Sequence, residues 1–134
     1  PYTTGPLSIE VVGELVSKPY IDMTADTMRA FGVRLCHDNY RRLWVEPEQR
    51  YSGRTYDIEP DASAASYFFA LAAATGGTIT IDRLPPSSLQ GDLAFVDVLE
   101  RMGCRVDRAP DAVTVTGPDQ LRGVDVDMNA ISDT

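Results

Sequence analysis

Residues Asp61 to Thr75 read DASAASYFFALAAAT. The spacing predicts a helix. Asp61 is placed to accept orphan N–H groups of the first turn. Gly76-Gly77 closes it, glycine being favoured where a helix ends in left-handed backbone. Tyr67, Phe68, Phe69, Leu71 and the alanines cover almost the whole circumference. A helix with no polar face is expected to be buried on all sides. In a chain of 134 residues this predicts helices inside and sheet outside, the reverse of the usual α/β layering.

Outward from this helix the sequence repeats itself. Ser17 to Gly32, SKPYIDMTADTMRAFG, aligns without gaps at an offset of 71 residues with Ser88 to Gly103, SLQGDLAFVDVLERMG. Each segment predicts a helix. Ser17 and Ser88 are N-cap candidates, and Pro19 fits a first turn. Asp22 and Asp92 lie near the positive end of the dipole, while Gly32 and Gly103 suit the left-handed closing position. Ile21, Thr24, Met28 and Phe31 share one helical face, as do Phe95, Val98, Leu99 and Met102.

The flanks repeat as well. Ser8 to Val12 and Thr78 to Ile81 alternate like strands before the helices. Val33–Cys36 and Arg42–Val45 follow the first helix around a turn at Asp38-Asn39. Arg105–Asp107 and Ala112–Thr116 follow the second. A further strand is expected at Thr55–Glu59, and an edge strand where Val124, Val126 and Met128 alternate with acids. Asp61 lies near the register of Ser132 and Asp133 at this offset, so the repeat predicts a chain cut at both ends of a longer array. The absence of an initiator Met agrees with that expectation.

Composition excludes several functions. Twelve basic against 20 acidic residues give net −8, without the basic face that nucleic acid requires. No apolar run approaches the roughly 20 residues of a membrane helix. Cys36 and Cys104 form no metal spacing and read as small, reduced core residues of a cytosolic protein. Asp125, Asp127 and Asn129 imitate the start of a calcium loop, but Ala130 stands where its sharp turn wants Gly. His37 is the only histidine and fits a turn, and Trp44 reads as a packing residue.

Four strings carry a resemblance to a known family. LVSKPYIDMT (Leu15–Thr24), EPDASAASYF (Glu59–Phe68), SLQGD (Ser88–Asp92) and DMNAISD (Asp127–Asp133) resemble, in order, the LVSxPYIDxT, DASSASYF, SxQGD and DMNxxPD segments of the 5-enolpyruvylshikimate-3-phosphate synthases. The UDP-N-acetylglucosamine enolpyruvyl transferases are more distantly similar. The resemblance implies an inside-out α/β barrel of two lobes, built of repeated βαβαββ-like units with buried helices and outer sheets. Residues 1–58 would close one lobe and residues 59–134 would belong to the other, with a hinge near Ile58-Glu59-Pro60.

The resemblance further implies transfer of the enolpyruvyl group of phosphoenolpyruvate to the 5-hydroxyl of shikimate 3-phosphate, without metal or other cofactor, in the cytoplasm. Ser17 and Tyr20 would contact shikimate 3-phosphate. Asp133 would contact its hydroxyls and is the candidate base. Ser132 stands where many relatives carry Pro, and Ala130 replaces a commonly polar residue. The family's N-terminal Lys-Ser segment, its Ser-Ser-Gln phosphate site and its later Glu, Arg and Lys residues have no counterpart in this chain. The isolated chain is therefore expected to be inactive, a folding or binding module at most. A cut barrel exposes apolar surface, so association with itself or with the missing segments is expected.

Overall fold

The computed structural model describes residues 1–131 and 133–134, so the departure at Ser132 lies outside the described residues. The chain divides into two compact units, Pro1–Asp57 and Ile58–Thr134. The first contains β1 (Leu7–Glu10), α1 (Lys18–Ala30), β2 (Leu35–Asp38) and β3 (Arg42–Val45). The second contains α2 (Ala62–Thr75), β4 (Thr78–Asp82), a 3-10 turn Gly91–Ala94 running into α3 (Phe95–Arg101), β5 (Arg105–Ala109) and β6 (Ala112–Thr116).

The 71-residue repeat is realised as topology. The first unit, and the second after α2, runs strand, helix, strand, strand and closes an antiparallel three-stranded sheet whose last strand lies in the middle, β1-β3-β2 and β4-β6-β5. The helix ends match in detail. Gly32 at φ 91° and Gly103 at φ 104° take left-handed backbone that other residues adopt only under strain. The N–H groups of Gly32 and Val33 bond Arg29 and Met28 carbonyls, and those of Gly103 and Cys104 bond Glu100 and Leu99 carbonyls. Both are the paired-bond C-terminal motif that satisfies orphan carbonyls.

The core of the second unit lies between α2, α3 and the inner face of its sheet. Phe69, Leu84, Val113 and Val115 are fully buried there, with Ala62, Ala65, Ala72 and Ala73 letting α2 approach closely. On the outer face, Thr78 faces Thr116 and Thr80 faces Thr114, with hydroxyl pairs at 3.0 and 2.8 Å. Asp61 Oδ1 caps α2, accepting from the N–H groups of Ser63 (2.9 Å) and Ala64 (3.3 Å). Gly76 ends it at φ 69°.

Several expectations need correction. α2 is not enclosed: Tyr67 is 73% exposed, and Phe68 and Leu71 are each 53% exposed. One sheet and one helix cover only one side of it within its unit. The second repeat helix starts late. Ser88 does not cap it; its hydroxyl donates to Glu59 Oε1 (2.7 Å) and accepts from Gln90 N–H (3.1 Å).

The strands expected at Thr55–Glu59 and Val124–Met128 do not form. In the first stretch the Tyr56 ring lies against Phe31 at 5.4 Å. In the second, alternation of half-buried and exposed residues persists, but the backbone is held by helix α3's end. Arg122 N–H donates to Met102 O, and Arg101 Nη2 to Asp125 O, both at 2.9 Å. The first hairpin turns at Asn39-Tyr40, one residue later than expected, with His37 and Asp38 still in β2.

Candidate functional site

The start of α1 carries two of the expected site residues. Ser17 precedes the helix in left-handed backbone, φ 56° and ψ 40°, and its side chain makes no capping bond. That corrects the capping expectation, and the local sequence explains it. A Ser cap reaches the N–H of the second or third helical residue from extended backbone. Here the second is Pro19, which has no N–H, and the third, Tyr20, gives its N–H to the Ser17 carbonyl at 3.2 Å.

Tyr20 is exposed and lines an apolar cavity of about 560 Å3 with Met23, Met28, Phe31 and Tyr51. Such a wall suits an apolar group and not a phosphate. Asp133 belongs to the other unit. It is exposed, in a turn where Thr134 N–H and Oγ1 both donate to Ile131 O, at 3.3 and 2.9 Å. The structure thus brings Ser17 and Tyr20 together at one end of α1, with Asp133 in the second unit. Among the described residues, no three His, Cys, Asp or Glu side chains gather as metal ligands would.

Behind the start of α1 lies a cluster that sequence reading missed. Tyr40 Oη donates to the Asp22 carboxylate, 2.8 Å from each oxygen. The Tyr40 ring stacks on His37 at 4.3 Å with 20° between planes, and Lys18 Nζ lies 5.7 Å from its centroid. Its N–H reaches His37 Nδ1 at 3.4 Å. The hydrogen bond to Asp22, then burial, then the Asp22 charge raise the Tyr40 hydroxyl above its ordinary pKa.

Tyr40 sits in a turn closed by Arg41 N–H to Asp38 O at 2.8 Å, with φ 42° at Asn39 and 60° at Tyr40. Asn-Gly is the favoured pair for such a hairpin. Tyr in place of Gly costs on the order of 1 kcal/mol. The Asn39 at the turn was legible in the sequence; the use made of Tyr40 was not.

A second polar cluster closes the start of α2. Gln90 Oε1 accepts from Ala62 N–H (2.7 Å), while its Nε2 donates to Glu59 Oε1 (2.9 Å) and Pro60 O (2.8 Å). Ser63 Oγ donates to buried Asp92. Gln90 and Asp92 of the QGD string thus serve the fold of their own unit.

The whole chain, residues 1–134, matches the family model for EPSP synthase (3-phosphoshikimate 1-carboxyvinyltransferase). The chain belongs to the EPSP synthase family. Curated relatives named 3-phosphoshikimate 1-carboxyvinyltransferase include that of Nostoc sp., 47% identical over 99% of this chain and 31% of the relative. That of Methanoregula boonei is 46% identical over 100% of this chain and 32% of the relative. The chloroplastic protein of Arabidopsis thaliana is 45% identical over 99% and 27%. The chain therefore spans about a third of the length of the EPSP synthases it matches. The solved EPSP synthase from Acinetobacter baumannii shares the fold, with TM-score 0.68 and 19% identity over 96% of this chain and 30% of that one.

Proposed function

We propose that this chain contributes one portion of an enzyme that transfers the enolpyruvyl group of phosphoenolpyruvate to the 5-hydroxyl of shikimate 3-phosphate. The match of all 134 residues to the EPSP synthase family carries this reading. The resemblance of the LVSKPY and DMNAISD strings assigns the residues. Ser17, at the positive end of the 13-residue helix α1, donates to the phosphate of shikimate 3-phosphate. Tyr20 lies beside that ligand. Asp133 contacts the shikimate hydroxyls and takes the proton of the attacking one.

The 5-oxygen bonds to C2 of phosphoenolpyruvate as a proton adds to its methylene carbon. The tetrahedral adduct then loses phosphate and a methyl proton, restoring the double bond. Charge builds on phosphate and carboxylate oxygens, so cationic groups beyond those of this chain are required, and no metal is. Residues 1–58 and 59–134 belong to different lobes of an inside-out barrel in a cytoplasmic enzyme. The shared fold with the Acinetobacter protein supports the fold class.

The test uses the complete polypeptide that carries these residues. Asp133→Asn should lower kcat by about 100-fold or more. Ser17→Ala should raise KM for shikimate 3-phosphate. The 134-residue chain alone should release no phosphate from the substrate pair. Turnover of UDP-N-acetylglucosamine in preference to shikimate 3-phosphate would assign the chain to the other branch of enolpyruvyl transferases.

A further inference from the structure

A strained residue is worth asking about when a cheaper one was available at the same turn. Tyr40, at φ 60° in a hairpin position that favours Gly, is such a residue. Its side chain is engaged on every side. The hydroxyl is 2.8 Å from both Asp22 oxygens, His37 stacks on one face, and Lys18 lies against the ring. All four groups belong to the first unit.

The contacts converge on one short piece of helix. Lys18 lies between Ser17 and Tyr20, and Asp22 is two residues beyond Tyr20, so the hairpin tip meets α1 within and just past the segment that carries the two expected ligand residues. Ser17 is itself left-handed, and the Tyr20 N–H closes on its carbonyl. No side-chain cap bond is made at this helix start, and the contacts of Tyr40 hold it from the hairpin.

We infer that Tyr40 and Asp22 are positioning residues, setting the start of α1 so that Ser17 meets the phosphate of shikimate 3-phosphate and Tyr20 lies beside that ligand. The inference rests on the reading of Ser17 and Tyr20 given above. Neither Tyr40 nor Asp22 touches the reacting atoms. Their contribution is to hold a helix terminus whose own sequence leaves it uncapped.

The experiment compares Tyr40→Phe, Tyr40→Gly and Ser17→Ala in the complete polypeptide. Tyr40→Phe removes the hydroxyl alone and should raise KM for shikimate 3-phosphate about three- to tenfold, the scale of one hydrogen bond to a charged group. Tyr40→Gly also relieves the backbone. It should lower the thermal midpoint no more than Tyr40→Phe does while raising the same KM about tenfold or more. KM for phosphoenolpyruvate and kcat should stay within about twofold in both.

A merely structural Tyr40 gives other results. A lowered midpoint with both KM values rising together would overturn the inference. So would an unchanged shikimate 3-phosphate KM in the Tyr40 variants when Ser17→Ala raises it, which leaves the ligand assignment standing. If Ser17→Ala has no effect, the ligand assignment fails and the inference fails with it.

Discussion

The Gln90 carboxamide and the Glu59 carboxylate meet at 2.9 Å, across 31 residues of sequence. The same carboxamide bonds Ala62 N–H and Pro60 O, so one side chain fixes the chain just as it enters α2. Gln90→Ala leaves a helix N–H, a carbonyl and a carboxylate short of partners in a half-buried place. The expected cost is about 2–3 kcal/mol, read from the urea midpoint of the 134-residue chain with an unchanged slope. A loss below about 0.5 kcal/mol would show that water replaces the carboxamide without penalty.

Gly117 is fixed by crowding. A Cβ built there overlaps the Ala72 carbonyl oxygen and comes within 2.9 Å of Ala73 O and Gly76 Cα, all backbone atoms of α2 and its cap. Gly117→Ala should destabilise by about 3 kcal/mol, because none of these atoms can rotate away. Gly123→Ala, where nothing lies within 4 Å, is the control and should stay within about 0.5 kcal/mol. Equal melting temperatures for the two variants would refute the crowding argument.

The two thiols should react in sequence. Burial pushes the Cys104 thiol up, and Cys104 is 5% exposed, whereas Cys36 is half-buried. The thiolate is the reactive form, so both effects protect Cys104. Iodoacetamide at pH 8 should alkylate Cys36 at least about tenfold faster in the native chain, with the difference vanishing in urea. Peptide mass mapping showing equal native rates would contradict it.

Tyr40 gives the chain a sensitivity to alkali. Its folded pKa is raised by the bond to Asp22, so the folded chain holds this proton more tightly than the unfolded one. The stability it contributes is complete below the ordinary tyrosine value near about 10 and is lost as pH climbs through the higher folded value. The native protein should therefore lose melting temperature above about pH 10 more steeply than Tyr40→Phe. Parallel curves would exclude the hydroxyl as the cause.

Patterns confined to a few neighbouring residues were readable in advance. The alternation of Thr78-Ile79-Thr80-Ile81, the cap at Asp61 and the closing Gly32 and Gly103 each follow from local physics, and each is present. What escaped reading depends on partners distant in sequence. Ser17 and Ser88 look alike at the start of a repeat. Yet Pro19 deprives one of a donor to cap, and Glu59 draws the other into a different bond. The strand expected from Val124, Val126 and Met128 had the right alternation, but the Arg101 side chain engages its backbone at Asp125 O. The family could be recognised from four strings, whereas Tyr40 lay in none of them and its tie to Asp22 spans 18 residues.

Each sheet keeps its last-made strand in the centre, β3 between β1 and β2, β6 between β4 and β5. The two outer strands never bond one another. On the ribosome, then, a nascent chain that has emerged only as far as Tyr40 or Asp111 owns two strands of the sheet in question and no ladder between them. Helices are all it can form until Arg42–Val45 or Ala112–Thr116 leaves the exit tunnel and threads between strands already waiting. Closure of each sheet is timed by its central strand, and a pause in translation just before it would hold open the interval in which unpaired edges are exposed.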